Sequence, residues 1–215
     1  MKYSLVTSII GNQLNFRPDN ALILCHGYGG NKKSIALLAN HWKNFLPKTI
    51  IYCPEAPFEC KNLKNSYQWF YPDLKKEKIL DSAISSEKKL NLFIDQIIDK
   101  NKIDNEKIFL GGFSQGGMIS LQTGIKRKKK IKLILSYSGK IIDTGHLKKN
   151  ISSKPKVFLF HGNQDKVVLP KFLSETKKFL QQNNFNVNTK LFKNCEHNIP
   201  TEGVKLGLEF LKKNM

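Results

Sequence analysis

One short motif in this sequence has the residue types and spacing of a nucleophilic serine site. Residues 112–116 read Gly-Phe-Ser-Gln-Gly, which matches G-x-S-x-G, and further glycines stand at Gly111 and Gly117. When such a motif joins a strand to a helix, the serine occupies a tight, strained turn that requires small neighbours. An isolated pentapeptide would more simply be a glycine-rich connection. Here an apolar run precedes it and a helical pattern follows, so we predict that Ser114 is a nucleophile.

A serine nucleophile needs a histidine base and an acid that orients the histidine. In sites built on a strand-to-helix turn, the acid and then the histidine follow the serine along the chain. Asp165 follows the apolar run 157–160 in the segment His-Gly-Asn-Gln-Asp, and His197 is the histidine that comes after it. The rival acid is Asp143, which a turn or a helix cap would also explain, and His197 could be a surface-loop histidine. Chain order favours the set Ser114, Asp165 and His197.

Two backbone N–H groups are expected to bind the oxyanion that forms when a serine attacks a carbonyl. One donor comes from the residue after the nucleophile, Gln115, and the other from a loop after an early strand. Residues 26–30 read His-Gly-Tyr-Gly-Gly and follow the apolar run 21–25, so we predict Tyr28 as the second donor. A simple turn is the alternative, whereas a phosphate-binding loop would need G-x-x-x-x-G-K-[ST], which the segment lacks. No spacing of histidines, cysteines or acids predicts a catalytic metal.

The elements that must position these residues are visible as short apolar runs that alternate with helical patterns. This order is typical of an α/β fold, a mainly parallel sheet with helices on both faces. The carboxyl ends of its strands would bring the three candidate residues to one edge. Polar residues between the first two strands predict a hairpin there, and Leu37, Leu38 and Trp42 at helical spacing predict a core-facing stripe. The predicted strands are 5–10, 21–25, 49–53, 108–112, 133–136, 157–160 and 187–192.

Length and composition predict one globular domain, residues 1–215. The chain is 40% hydrophobic, and it lacks a Pro/Gly/Ser-rich linker. No apolar run approaches the ~20 residues of a membrane span, and the first residues are too polar for a signal peptide, so we expect a cytoplasmic protein. The cysteines form no CxxC pair and are expected to be reduced and buried. They are Cys25, Cys53, Cys60 and Cys195.

The formal net charge of +19 and the basic run 126–130 raise the question of a polyanionic partner. Nearly all the positive charge is lysine, and the arginines are Arg17 and Arg127, whereas recognition of bases and phosphates favours arginine. The basic run also follows a helical pattern, whose C-terminal end favours cations. We therefore predict no specific nucleic-acid partner. The charge leaves open a weak electrostatic association with anionic membranes.

Together these motifs resemble the phospholipase/carboxylesterase family of α/β hydrolases, which includes acyl-protein thioesterases and small bacterial carboxylesterases. The matching segments are 24–29, 54–57, 68–70, 112–117, 161–168 and 196–197. The resemblance implies the α/β-hydrolase fold, no cofactor, and hydrolysis of carboxylic esters or thioesters through an acyl-serine intermediate. It implies the roles already given to Ser114, Asp165, His197, Tyr28 and Gln115.

The resemblance also implies a substrate groove beside the nucleophile. Trp69 and Phe70, from the long patternless segment 54–78, and Val168 would line it. A hydrophobic anchor for that segment is an equally good account of the two aromatic residues. Two positions depart from the family pattern, with Ser34 where aspartate is common and Glu196 where glycine is common.

Several substrates and functions are compatible with the sequence. Small to medium acyl chains are the expected substrates, and a lysophospholipid on an anionic lipid surface is an alternative. A non-catalytic binding protein on the same scaffold is the alternative from a different class of function. A homodimer is also compatible with the sequence.

Overall fold

A seven-stranded sheet lies at the centre of the computed structural model, which describes residues 3–11 and 17–215. A separate pair of two-residue strands lies outside this sheet. The strands in chain order are β1 (Thr7–Ile10), β2 (Asn20–Cys25), β3 (Thr49–Pro54), β4 (Phe58–Glu59), β5 (Tyr67–Gln68), β6 (Ile108–Phe113), β7 (Leu133–Tyr137), β8 (Lys156–Gly162) and β9 (Val187–Phe192).

The strand order in the central sheet is β1-β3-β2-β6-β7-β8-β9. Among the described residues of this sheet, only β1 runs antiparallel to its neighbour. The predicted mainly parallel sheet is therefore confirmed. The predicted hairpin between the first two strands is wrong, because Thr7 of β1 pairs with Pro54 of β3. Every residue of β2 is buried, and parallel strands β3 and β6 occupy both of its edges, so β1 is displaced to the outer edge of β3.

Six α-helices of the described chain cover the two faces of the sheet. Buried residues of α2, α3, α4 and α5 belong to one hydrophobic cluster, and those of α1 and α6 belong to the cluster on the opposite face. The helices are α1 (Lys32–Trp42), α2 (Lys76–Asn101), α3 (Gln115–Lys126), α4 (Thr144–Lys149), α5 (Lys171–Gln182) and α6 (Thr201–Asn214). None of the helices in residues 3–11 and 17–215 combines the length and apolar character needed to cross a membrane.

The stripe predicted on α1 is confirmed in part. Leu38 and Trp42 are buried, but Leu37 is 68% exposed. The helix begins with a capping box in which Asn31 accepts from the backbone of Ser34, and the Ser34 hydroxyl accepts from the Asn31 N–H at 2.9 Å. Ser34 therefore fixes the start of α1, which follows the predicted oxyanion loop directly.

The four cysteines are free thiols, as predicted. All of them are buried, two of them in the strands β2 and β3. They act as small apolar side chains in the core.

Candidate active site

Ser114 occupies the turn between β6 and α3. Its backbone angles are φ 53° and ψ −120°, and a non-glycine residue in this left-handed region is strained. The Ser114 N–H donates to Tyr137 O at 2.8 Å, and its carbonyl accepts from Met118 N at 3.0 Å. A Cβ at Gly116 would lie 2.1 Å from Cys25 O, so glycine is required where α3 meets the end of β2. The surrounding backbone thus holds Ser114 in the geometry of a nucleophile turn.

Asp165 and His197 are joined by a short hydrogen bond. His197 Nδ1 lies 2.7 Å from Asp165 Oδ2, and Asp165 Oδ1 accepts from the N–H groups of Val167 at 2.9 Å and Val168 at 2.8 Å. His161 Nε2 lies 3.4 Å from the same Oδ2 atom and donates to Val168 O at 2.7 Å. Burial by itself would raise the pKa of Asp165, but the hydrogen bonds from His197 and Val168 outweigh it and hold the pKa below its usual value. Asp165 is therefore an ionised, buried acceptor at neutral pH.

The loops that carry Asp165 and His197 are fastened to each other through their backbones. The loop after β8 donates from Asn163 N to Phe192 O and from Gln164 N to Cys195 O, each at 2.9 Å. A Cβ at Gly162 would lie 2.2 Å from Cys195 O, so the close approach of these loops requires glycine. The adjacent ends of β8 and β9 thus fix the distance between the acid and the histidine.

His197 also lies beside the nucleophile turn. The centroid of its ring is 4.7 Å from that of Phe113, the residue that precedes Ser114. Within the described chain, no hydrogen bond joins Ser114 to His197. In serine sites without a bound substrate this bond is often long, and it shortens when the substrate is present.

The predicted oxyanion donors come from the loop after β2 and from the first residue of α3. In the part of the chain that the structure describes, the backbone N–H groups of Tyr28 and Gln115 have no hydrogen-bond acceptor. A Cβ at Gly27 would lie 3.4 Å from the Cβ of Ser114, so the loop containing Tyr28 is in contact with the nucleophile turn. Two free donors next to a serine are what an oxyanion hole requires.

His26, at the start of this loop, is buried and has a defined tautomer. Its Nε2 atom accepts from Ala56 N at 3.0 Å, so the ring proton is on Nδ1, which donates to Gly27 O at 2.7 Å. Burial lowers the pKa of His26, although the hydrogen bond to Gly27 O acts in the opposite direction. A neutral His26 therefore links the loop containing Tyr28 to the segment after β3.

A second set of hydrogen bonds connects both oxyanion elements to the segment after β5. The Gln115 side chain accepts from Trp69 N and donates to Phe70 O, each at 3.0 Å, and Trp69 Nε1 donates to His26 O at 2.9 Å. Trp69 has no exposed surface. These contacts favour the alternative in which Trp69 anchors its segment over a direct contact with substrate.

A cavity of about 510 Å³ opens beside Ser114. Phe70 and Val168, which were expected in a substrate groove, are in its wall together with Tyr28 and Gln115. The other lining residues come mainly from α2, α3 and the segments before α4 and α5: Pro72, Lys76, Ile79, Leu80, Met118, Lys140, Ile142, Asp143, Val167 and Phe172.

A second cavity, of about 380 Å³, lies on the side of His197. It is bounded by the exposed Leu37 and by Leu38 of α1, by Phe113 and by Ile199. One cavity therefore borders Ser114, and the other borders His197.

Asp143, the rival acid, caps a helix, which was the alternative interpretation of this residue. Its Oδ1 atom accepts from His146 N at 2.7 Å at the start of α4, and its Oδ2 atom lies 3.0 Å from Lys76 Nζ. The backbone hydrogen bond from His146 and the Lys76 ammonium hold the pKa of Asp143 below its usual range.

Glu196, one of the two departures from the family pattern, has an exposed side chain.

Sequence reasoning missed the side-chain role of Gln115, the buried bridge at His26 and the position of Lys140 in the cavity wall. The first two are polar residues within motif segments already assigned to the oxyanion loop and the nucleophile turn. Their proximity to the predicted donors was a usable signal. Lys140 carried no such signal, because its place depends on how the loop after β7 packs against α3 and α5.

Known proteins resemble this chain in both sequence and fold. Acyl-protein thioesterase 1 of Kluyveromyces lactis is 26% identical over 90% of this chain and 91% of its own length. The crystal structure of esterase PE8 superposes with a TM-score of 0.92 at 26% identity, covering 98% of this chain and 99% of that one. The Bacillus cereus carboxylesterase, at 18% identity and a TM-score of 0.78 over 98% of this chain and 95% of its own, shares the fold.

A family model also matches almost the whole chain. The model described as Phospholipase/Carboxylesterase matches residues 13–215, and esterase PE8 shares the fold of this chain. The α/β-hydrolase fold and the resemblance drawn from the motifs are thereby confirmed, and this chain belongs to the Phospholipase/Carboxylesterase family.

Proposed function

We propose that this protein hydrolyses carboxylic esters or thioesters through a covalent acyl-Ser114 intermediate. The observation that carries the proposal is the 2.7 Å hydrogen bond between His197 Nδ1 and the buried Asp165, beside a serine in a strained strand-to-helix turn. Relatives named acyl-protein thioesterase, esterase and carboxylesterase support the choice of ester and thioester substrates.

In the first step, His197 Nε2 takes the proton of Ser114 Oγ as this oxygen attacks the substrate carbonyl carbon. The imidazolium keeps its Nδ1 proton, which donates to ionised Asp165, so the buried carboxylate stabilises the new positive charge. The N–H groups of Tyr28 and Gln115 donate to the carbonyl oxygen as it becomes negative. Each such donor is worth about 2.7–4 kcal/mol of transition-state stabilisation.

The tetrahedral intermediate then collapses. The bond from the carbonyl carbon to the leaving oxygen or sulfur breaks, and His197 donates its Nε2 proton to that atom. A water molecule next loses a proton to His197 and attacks the acyl-Ser114 carbonyl. Collapse of the second intermediate releases the carboxylic acid and returns the proton to Ser114 Oγ.

The two cavities divide the substrate between them in this proposal. His197 must lie within hydrogen-bond distance of the leaving atom, so the alcohol or thiol occupies the 380 Å³ cavity on the histidine side. The acyl chain then enters the 510 Å³ cavity, whose wall includes Phe70, Met118 and Val168. A cavity of this size with a mainly apolar lining suits small to medium acyl chains.

The test compares the wild-type protein with Ser114→Ala. We expect wild-type turnover of p-nitrophenyl acetate, butyrate or octanoate, labelling by a fluorophosphonate probe, and loss of both in the variant. Ser138→Ala is a matched control, because Ser138 is also buried and also has a positive φ of 47° at a strand end. If the wild type neither turns over these esters nor labels, the proposal is overturned and the binding-protein alternative takes its place. Lysophosphatidylcholine, assayed in parallel, tests the lipid alternative.

A further inference from the structure

Lys140 is a positively charged side chain in the wall of the cavity beside Ser114. It is half-buried, and its Nζ atom lies 4.1 Å from the centroid of the Phe172 ring, which lines the same cavity. The preceding residue, Gly139, packs on the first turn of α3, since a Cβ there would lie 3.3 Å from Met118 N. Lys140 therefore stands close to the helix whose first residue follows Ser114.

The other charged residues of the cavity wall neutralise each other. Asp143 pairs with Lys76 at 3.0 Å. The ion pairs among the described residues include none with Lys140. Glu175 raises the pKa of Lys140, and Lys171 lowers it. Lys140 is therefore the cation of the described cavity lining that has no carboxylate in ion-pair contact, whereas Lys76 is paired with Asp143.

The Lys140 side chain is partly removed from water, because it is half-buried in the cavity wall. This burial lowers the pKa of its ammonium. A neutral acyl chain in the cavity would displace further water from the ammonium and would provide no hydrogen-bond acceptor in its place. A carboxylate would replace that water with a charge-assisted hydrogen bond.

We propose that the cavity beside Ser114 selects acyl groups that end in a carboxylate, with Lys140 as the partner of that carboxylate. The substrates would be monoesters or monothioesters of dicarboxylic acids, cleaved at the ester carbonyl by Ser114. This inference rests on the proposed function, because it names the acyl group of the same reaction. Lys140 is then a specificity-determining residue, and the reaction releases a free dicarboxylate.

The experiment uses two substrates that differ only in the distal charge, p-nitrophenyl hydrogen adipate and its capped form, p-nitrophenyl methyl adipate. We expect the wild-type kcat/KM to be about tenfold higher for the free acid, the effect of one hydrogen bond to a charged group. Lys140→Met should bring this ratio to about one, and Lys140→Glu should invert it, because charge–charge interactions set the preference. Lys140→Arg should keep it above one.

Lys171→Met is the matched control. Lys171 also stands over the Phe172 ring, at 5.4 Å, but it does not line the cavity, so its loss should leave the ratio at the wild-type value. Equal turnover of the two adipates by the wild type, or a ratio that persists in Lys140→Met, would overturn the inference while leaving the proposed function intact. Turnover of neither adipate, nor of any simple ester, would overturn both. The ratio is internal to each variant, so it does not depend on how much of the variant folds.

Discussion

The two sides of Ser114 are held in place by different kinds of contact. On one side, Asp165 and His197 stand on neighbouring loops that are joined through backbone atoms, such as Gln164 N to Cys195 O at 2.9 Å. On the oxyanion side, the loop containing Tyr28 has backbone hydrogen bonds to Tyr67, from Gly29 N at 3.0 Å and to Gly30 O at 2.9 Å, and it is also held by side chains such as Trp69, whose indole donates to His26 O. The acid–histidine side is thus joined mainly through the backbone at strand ends, whereas the oxyanion side adds a network of buried side chains.

This difference determines which substitutions should affect which property. On the acid–histidine side, a side chain can be changed without moving the backbone that carries it, so the chemistry should be lost while the fold is retained. On the oxyanion side, Gln115 and His26 are partners of buried backbone groups, so their loss should reduce stability and activity together. Four predictions test this division.

The largest effect is expected for Asp165→Asn. The asparagine oxygen can still accept from Val167 N and Val168 N, but its amide would face His197 Nδ1 and hold the imidazole in the wrong tautomer. We expect kcat to fall by about 10⁴-fold, as for the equivalent change in other serine triads. The melting temperature should change little. Steady-state kinetics and thermal denaturation measure the two quantities.

Asp143→Asn is the control for this prediction. Asparagine also caps helices, so α4 should persist and kcat should stay within about tenfold of the wild type. If Asp143→Asn removed activity and Asp165→Asn did not, the acid would be assigned to the wrong residue.

The next effect concerns Gln115, whose amide accepts from Trp69 N and donates to Phe70 O. Gln115→Ala leaves both buried backbone groups without a partner, and we expect the free energy of unfolding to fall by about 2–3 kcal/mol. Because the oxyanion donor N–H belongs to the same residue, kcat should fall as well. Urea denaturation and ester turnover measure the two losses.

Gln164→Ala provides the matched control, because Gln164 is an exposed glutamine on the loop of the acid–histidine side. It should change neither quantity appreciably. Equal destabilisation by the two alanine substitutions would contradict the distinction between the two sides.

The same distinction explains how much of the site could be predicted from the sequence. Strand ends, chain order and the G-x-S-x-G spacing predicted that Ser114, Asp165 and His197 share one edge of a parallel sheet. The loops that carry these three residues do lie at that edge, because the register of parallel strands aligns the carboxyl ends of the strands. By contrast, the burial of Trp69 and the position of Lys140 depend on long-range packing, which no local pattern encodes.

The placement of β1 shows the same limit. Its short apolar run predicted a strand, but not which neighbour the strand would pair with. That choice depended on β2 being buried with both edges already occupied. Pairing is a property of the assembled sheet, so a local turn signal between two strands was insufficient to predict it.

A smaller effect is expected for Trp69→Phe. Phenylalanine keeps most of the buried ring but removes the Nε1–H that donates to His26 O at 2.9 Å. The unpaired carbonyl should lower the free energy of unfolding by about 1–2 kcal/mol. Trp42→Phe is the comparison in the other hydrophobic cluster, since Trp42 Nε1 donates to Val204 O at 3.0 Å. Both should destabilise to a similar extent, and only Trp69→Phe should also reduce kcat/KM.

The smallest effect concerns the pH dependence of stability and depends on His26. Its pKa in the folded state is lowered from the usual 6.5, so below that value the unfolded chain binds a proton that the folded protein does not. Stability should therefore rise with pH through this range and fall as the pH drops below about 6.5. His26→Gln can still accept from Ala56 N but does not titrate, so its stability should fall less than that of the wild type as the pH drops from about 7 to 5.5. His41→Gln, at an exposed histidine, should keep the wild-type dependence. If the free energy of unfolding depends on pH equally in the wild type and in His26→Gln, His26 is not the group responsible for the pH dependence.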